Sequence, residues 1–299
     1  MKLSKSAAVL ALPFAFSAFL SAEEADKASV WKISDADSTV FLAGSVHLLR
    51  EKDLPIPEVF DRVYAEVDEL VFEVDMGEMT RPETALEMRR LGALPEGEAL
   101  KDRFKPETME RLRAYLKELG LPEGTFDSVN PGMVFMMFSS MEALRQGARP
   151  DLGLEMVFYT KSTGDGKPSR GLETLAYQIS LFTGLKDSDV EEWIHRSLDE
   201  RDQAGEIFDA LLAAWRKGDE KALVAEIEKD ASLWGPLREV LLTQRNRNWI
   251  PEIEKALATD RDVMFLVGAA HLVGEGSVVE LLREKGLEVT QLEGRKGTE

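Results

Sequence analysis

Two histidines lie in nearly the same local sequence near opposite ends of the chain. The segments Phe41-Leu-Ala-Gly-Ser-Val-His-Leu48 and Phe265-Leu-Val-Gly-Ala-Ala-His-Leu272 are identical at five of eight positions. In each segment an apolar run leads into Gly-x-x-His, so the imidazole follows an expected β-strand. Imidazole is a metal ligand or a general base near neutral pH, and two imidazoles that face one cleft favour a shared metal. We therefore expect His47 and His271 to hold a divalent metal ion.

Glu73 is the third expected metal ligand. The chain contains no cysteine, so ligands other than histidine must be carboxylates. Glu73 lies within the apolar run Leu70-Val-Phe-Glu-Val74, where a buried carboxylate needs a partner or a metal ion to offset its lost hydration. The alternative is an edge strand whose glutamate faces solvent.

Four further polar residues stand in surroundings that suit a catalytic role. Glu155 in Leu-Gly-Leu-Glu-Met and Glu173 in Gly-Leu-Glu-Thr are acids among apolar neighbours. We expect one of them to orient or deprotonate a water molecule. Arg245 and Asn246 are expected to stabilise a developing negative charge. A polar helix face is the alternative for that pair.

The elements that would position these residues follow from the apolar patterns. Short apolar runs predict five strands near the two ends of the chain, at Val30–Ile33, Thr39–Ala43, Glu69–Val74, Asp262–Val267 and Leu287–Leu292. Residues 78–258 show mainly the three-to-four spacing of helices. We predict an α/β fold in which internally duplicated strand–G-x-x-H–helix–strand units form a central sheet, with a large, mainly helical insertion. Ligands of such open sheets bind at the carboxyl edge of the strands, where both histidines would lie.

Composition narrows the class of protein. The chain has 299 residues, is 44% hydrophobic, and carries 55 Asp+Glu against 37 Lys+Arg, for a formal charge of −18. This apolar content supports a substantial core and excludes a disordered chain. The negative charge argues against nucleic acid or an anionic membrane as a partner, because both would be repelled. The absence of cysteine excludes disulfides, thiolate metal sites and cysteine nucleophiles.

The N-terminal segment has the layout of a secretory signal. Lys2 and Lys5 precede an apolar run from Ala7 to Leu20, which is shorter than the ~20 residues of a spanning helix. We predict a signal peptide at residues 1–22, cleaved near Ala22, and a single mature domain at 23–299 in the periplasm or outside the cell. A retained N-terminal anchor is the alternative. Once the signal is cleaved, no membrane partner is expected.

The motifs together resemble the TraB/GumN/Tiki family over residues 30–293. The resemblance is carried by five segments in order: Gly44-Ser-Val-His47, the strand ending in Glu73, Gly171-Leu-Glu-Thr174 with Gln178, Arg245-Asn246 with Trp249, and Gly268-Ala-Ala-His-Leu-Val-Gly274. It implies an α/β core with helical insertions, as in erythromycin-esterase and ChaN-like proteins. Animal Tiki members are implied to be metal-dependent proteases that use the paired G-x-x-H motifs. Glu155 departs from the family, since bacterial members often have aspartate there.

These observations support three hypotheses of function. The first is an exported metal-dependent hydrolase, peptidase-like, that acts on a peptide or small-molecule substrate. The second is a metal-free, esterase-like hydrolase in which His47 is the general base. The third is a non-enzymatic periplasmic protein that binds a haem-like ligand or a peptide. Because free imidazole titrates near pH 6.5, metal binding by both histidines is expected to release about two protons per ion between roughly pH 5 and 7.

Overall fold

The computed structural model describes residues 27–35, 38–229, 235 and 237–294. The predicted signal peptide lies outside these residues. Six described strands form one mixed sheet in the order β4-β3-β5-β2-β1-β6. Their bounds are β1 Lys27–Ser34, β2 Thr39–Ser45, β3 Glu69–Val74, β4 Ser169–Glu173, β5 Val263–Gly268 and β6 Thr290–Glu293.

The strand directions confirm a mixed α/β fold. Strands β4, β3, β5 and β2 are parallel to one another, whereas β1 is antiparallel to both β2 and β6. The first two predicted strands pair antiparallel as a hairpin, with Val30 opposite Ala43. The central strands β2 and β5 are almost wholly buried. Parallel strands that are covered on both faces have continuous apolar sequences, and β2 and β5 show this pattern.

Helices occupy most of the chain between β3 and β5, as the spacing predicts. Twelve helices are named here: α1 Glu58–Glu66, α2 Met76–Met79, α3 Pro82–Leu91, α4 Pro106–Glu118, α5 Pro131–Arg145, α6 Leu154–Asp165, α7 Leu175–Thr183, α8 Asp187–Glu200, α9 Ala204–Arg216, α10 Glu220–Ile227, α11 Gln244–Leu257 and α12 Val278–Glu284. The helical region also supplies β4, a parallel edge strand beside β3. Among the described residues, no helix combines the length and apolar character needed to cross a membrane.

Strands β2 and β5 lie side by side and deliver both G-x-x-H segments to one edge of the sheet. Their register places Ser45 opposite Gly268. From β2 the chain passes through α1 to β3, and from β5 it passes through α12 to β6, so the two connections run in opposite directions along the sheet. Right-handed crossovers then put α1 and α12 on opposite faces, and a crevice forms between the diverging loops. The internal repeat itself stays an interpretation of the sequence.

Packing on the two faces agrees with this topology. On one face Phe60 of α1 stacks with Phe158 of α6 and Trp215 of α9, at ring-centroid distances of 6.5 and 5.6 Å. The Trp215 indole N–H also donates to the Gly44 carbonyl at 2.7 Å. Helix α12 packs instead against α11. Trp215 of α9 therefore anchors the carboxyl end of β2, and packed helices border the crevice beside it.

Candidate active site

All seven predicted site residues lie at the carboxyl edge of the sheet or on helices that face it. They are His47 after β2, Glu73 in β3, Glu155 in the first turn of α6, Glu173 at the end of β4, Arg245 and Asn246 in α11, and His271 in a 3₁₀ turn after β5. Side-chain contacts link Glu73, Glu173, Arg245, Asn246 and His271 into one group of five. His47 and Glu155 form a separate pair. The third histidine is elsewhere: His195 is half-buried and contacts Thr108 and Arg111 of α4.

Arg245 occupies the centre of the larger group. Its guanidinium donates to Glu73 Oε2 at 2.5 Å and to Glu173 Oε2 at 2.8 Å. Another of its nitrogens, Nη1, donates to the Leu241 carbonyl at 2.9 Å and lies 3.1 Å from His271 Nε2. Leu241 belongs to a π-helical turn, Glu239–Thr243, that leads into α11; such turns are frequent at functional sites. Arg245 therefore supplies the partner that the buried charge of Glu73 requires.

Glu173 is held by three donors. Besides Arg245, the Trp249 indole N–H donates to its Oε1 at 2.9 Å and Gln178 Nε2 donates to its Oε2 at 3.1 Å. Gln178 also donates to Glu73 Oε2 at 3.2 Å, so one amide links the two acids. With only 5% of its side chain exposed, Glu173 serves to fix Arg245 and Trp249.

Glu73 stays ionised although its side chain is buried. Burial raises the pKa of the Glu73 carboxyl, but the charges of His271, when protonated, and of Arg245 outweigh that effect and bring the pKa below its usual range. The Gly268 N–H adds to this by donating to Oε1 at 2.8 Å. The carboxylate is therefore a permanent negative charge beside the end of β5.

His271 is neutral, and its tautomer is defined. Arg245 is always a donor, so His271 Nε2 accepts and the proton is on Nδ1, which lies 2.6 Å from Asn246 Oδ1. The Asn246 amide is held by its own donation to the Gly276 carbonyl at 2.8 Å. Burial lowers the pKa of His271 to about 3, and its ring packs on Trp249 at 4.4 Å. Asn246 thus holds the Nε2 lone pair of His271 toward Arg245, and Glu73 Oε1 lies 3.7 Å from the same nitrogen.

His47 lies at the mouth of the crevice and is paired with Glu155. Its Nδ1 is 2.8 Å from Glu155 Oε1, and 64% of its side chain is exposed. The Glu155 carboxylate raises the pKa of His47 to about 9. Gly153 makes this pairing possible, because a Cβ there would lie 2.0 Å from the His47 carbonyl oxygen. The glycine lets α6 begin against the β2 loop, with Glu155 two residues later.

Gly268 marks the point where the three expected metal ligands meet. A Cβ at Gly268 would lie 3.2 Å from Glu73 Oε1 and 3.6 Å from both His47 Nε2 and His271 Cδ2. Two imidazole nitrogens and a carboxylate form a donor set suited to a catalytic divalent ion. In the described part of the chain, no group of three or more His, Asp or Glu side chains is spaced to hold a metal ion.

A cleft of about 550 Å³ opens beside these residues. His47, Glu73, Glu155 and Gln178 line one part of it. The rest includes apolar residues that the sequence did not single out: Phe72, Val74, Met76, Met79, Pro150 and Met156. Ser45, whose hydroxyl bonds to Glu155, was also missed. Its position two residues before His47 was the available signal.

The fold and site define an α/β protein with a buried group of charged side chains beside the carboxyl ends of β2 and β5, each of which is followed by a histidine. The sequence profile of the TraB/PrgY/gumN family matches residues 29–291. The chain belongs to this family. The match covers every predicted site residue and confirms the family resemblance drawn from the motifs.

Individual relatives are distant. The chain is 24% identical over 242 residues to the uncharacterized protein YbaP of Escherichia coli, covering 81% of this chain and 87% of YbaP. It is 25% identical over 194 residues to the metalloprotease TIKI homolog of the sponge Amphimedon queenslandica, covering 56% of this chain and 38% of that protein. No solved structure matches the chain.

Proposed function

We propose that this protein is a peptidase-like hydrolase that uses a divalent metal ion bound by His47, His271 and Glu73. One observation carries the proposal. Nδ1 of His47 contacts Glu155, and Nδ1 of His271 contacts Asn246. Both imidazole rings lie next to Gly268. Metal-binding histidines are held in this way by acceptors on their second nitrogen. The sponge relative named as a metalloprotease supports the same activity.

A bound ion would act as a Lewis acid and lower the pKa of a water molecule. The chain's own residues then have distinct roles. Glu155 lines the cleft and is the better placed of the two acids to accept a proton, since Glu173 is held by Arg245, Trp249 and Gln178. Asn246 fixes the tautomer of His271. Arg245 positions Glu73 and places a positive charge next to the reacting centre.

A metal-free hydrolase is the second candidate, favoured by the position of Arg245. Its contact with Glu73 at 2.5 Å satisfies the buried carboxylate without a metal ion. The His47–Glu155 pair would then be the acid–base group, as in the esterase-like hypothesis. A panel of peptides and esters, assayed with and without a chelator, separates the two candidates, because only the first loses activity on chelation. A panel on which nothing is hydrolysed would favour a periplasmic binding protein. Export through the N-terminal segment remains part of the proposal.

The first prediction tests the shared metal site. Calorimetric titration of the chelator-treated protein with Zn²⁺, Mn²⁺ and Co²⁺ should give one site per chain. His47→Ala and His271→Ala should each weaken it by at least about 100-fold, since each removes a ligand and leaves two. His195→Ala is the matched control and should bind like the wild type. Wild-type affinity in either of the first two variants would refute the shared site.

The second prediction concerns the space at Gly268. In Gly268→Ala the added methyl group would press on Glu73 Oε1 at 3.2 Å and approach His47. Metal affinity should fall by about tenfold or more, while urea denaturation reports a loss of no more than about 1–3 kcal/mol from the crowding. Gly164→Ala in α6 meets no atom within 4 Å and is the control. Equal metal affinity in the two variants would place the metal elsewhere.

A further inference from the structure

We propose that the cleft beside Glu73 and Glu155 binds a bulky apolar side chain of a peptide substrate, and that Met76, Met79 and Met156 determine this specificity. The inference rests on the proposed hydrolase function, since it names the substrate class of the same site. Its starting point is that a cleft of about 550 Å³ is polar where the acids lie and apolar over most of the remaining lining.

Two of the methionines are placed by the turn that follows Glu73. Helix α2 begins two residues after β3 ends, and the Asp75 carboxylate caps it by accepting from the Gly77 N–H at 2.7 Å. Met76 and Met79 are three residues apart, so they project on the same side of this turn. Both are half-buried and line the cleft.

The third methionine comes from the facing helix. Met156 directly follows Glu155 in α6 and is half-buried in the same cleft. Gly77 allows α2 to approach α6, because a Cβ there would lie 3.3 Å from the Tyr159 hydroxyl. The turn after β3 and the first turn of α6, which position Glu73 and Glu155, therefore also place the three methionines in the cleft beside these acids.

The chemistry of this wall selects apolar groups. Thioether side chains are unbranched and polarisable, so they adapt to apolar groups of different shape. A cleft of this volume is larger than one side chain and falls within the range of small-molecule sites. Acidic groups at its border, Glu73, Glu155 and Asp151, repel an acidic side chain. We therefore expect leucine, methionine or phenylalanine next to the scissile bond, and discrimination against aspartate and glutamate.

Methyl NMR on protein labelled with ¹³C at the methionine methyl groups tests the proposal without requiring turnover. The probes are acetyl-Ala-Leu-Ala-amide and acetyl-Ala-Asp-Ala-amide, each with the bond after its central residue N-methylated to resist hydrolysis. The leucine probe should shift the signals of Met76, Met79 and Met156. Met88 and Met137, which line a separate groove of about 340 Å³, are internal controls and should not move.

Variants sharpen the result. Met156→Lys should weaken the leucine probe by about tenfold or more and improve binding of the aspartate probe, whereas Met156→Leu should retain the wild-type preference. Met137→Lys, at another half-buried methionine, should leave both affinities unchanged. Absence of leucine-probe binding, or shifts confined to Met88 and Met137, would overturn the proposal. If the protein bound the leucine probe at the cleft but neither bound metal nor hydrolysed peptides, the hydrolase function would fail and the apolar subsite would stand.

Discussion

Replacing Arg245 with methionine should lower the free energy of unfolding by about 3–5 kcal/mol, the cost of removing one partner from a buried ion pair. Arg245 is 7% exposed, and its guanidinium contacts both Glu73 and Glu173. Without it, two buried carboxylates lose their charged partner. Urea denaturation at pH 7 measures the effect. Arg247→Met is the matched control two residues along α11, because Arg247 is 59% exposed in its side chain and should change stability by no more than about 0.5 kcal/mol.

The same variant has a defined pH dependence. In the wild type the pKa of Glu73 is lowered by folding, so the stability it contributes is present above its unfolded pKa near 4.5 and is lost as pH falls. In Arg245→Met the guanidinium charge no longer lowers the pKa of Glu73, so folding lowers this pKa less and less stability is lost as pH falls. The gap between the two proteins should therefore narrow from pH 7 to 4. A constant gap, or a loss equal to that of Arg247→Met, would show that Arg245 carries no such role.

The sheet was largely predictable because its strands are strongly apolar. Glu69–Val74 matches the predicted strand at both ends, and Val263–Gly268 differs from its prediction by one residue. For β4, the sequence did not distinguish a short strand from a turn. It is short, half-buried throughout and at the edge of the sheet, so its sequence, Ser-Arg-Gly-Leu-Glu, lacks the apolar signal that burial on both faces gives.

The sequence singled out the residues that lie together at the candidate site, but their pairing was not predictable. Glycine-turn-histidine segments after apolar strands pointed to His47 and His271, and an acid in an apolar run pointed to Glu73. The partner of Glu73 could not be predicted from the sequence, since Arg245 is 172 positions away, in the first turn of α11 after a π-helical turn. Likewise the sequence gives no sign that Asn246 holds a histidine or that Glu173 binds an arginine.

Metal affinity should rise about tenfold for each pH unit between roughly pH 6 and 9, with one proton released per ion. Free imidazole would release two protons between pH 5 and 7. This expectation changes because the structure shifts the pKa values of the two histidines in opposite directions. The Glu155 carboxylate raises the pKa of His47 to about 9, so an ion must displace that proton at any lower pH. Burial lowers the pKa of His271 to about 3, so this ring is already neutral and releases none. Calorimetry in buffers of different ionisation enthalpy measures both the affinity and the proton count.

Glu155→Gln separates this mechanism from its rivals. Removing the carboxylate should return the pKa of His47 toward 6.5, so proton release at pH 7.5 should fall from one to about 0.1 and the affinity should level off about 2.5 pH units lower. Asp151→Asn, a nearby cleft acid paired with Arg149 rather than with a histidine, should keep the wild-type profile. Release of two protons would mean that His271 is charged before binding, which its contact with the Arg245 guanidinium opposes. An affinity that is flat from pH 6 to 9 would exclude His47 as a ligand and leave the metal-free hydrolase, with His47 and Glu155 as its acid–base pair.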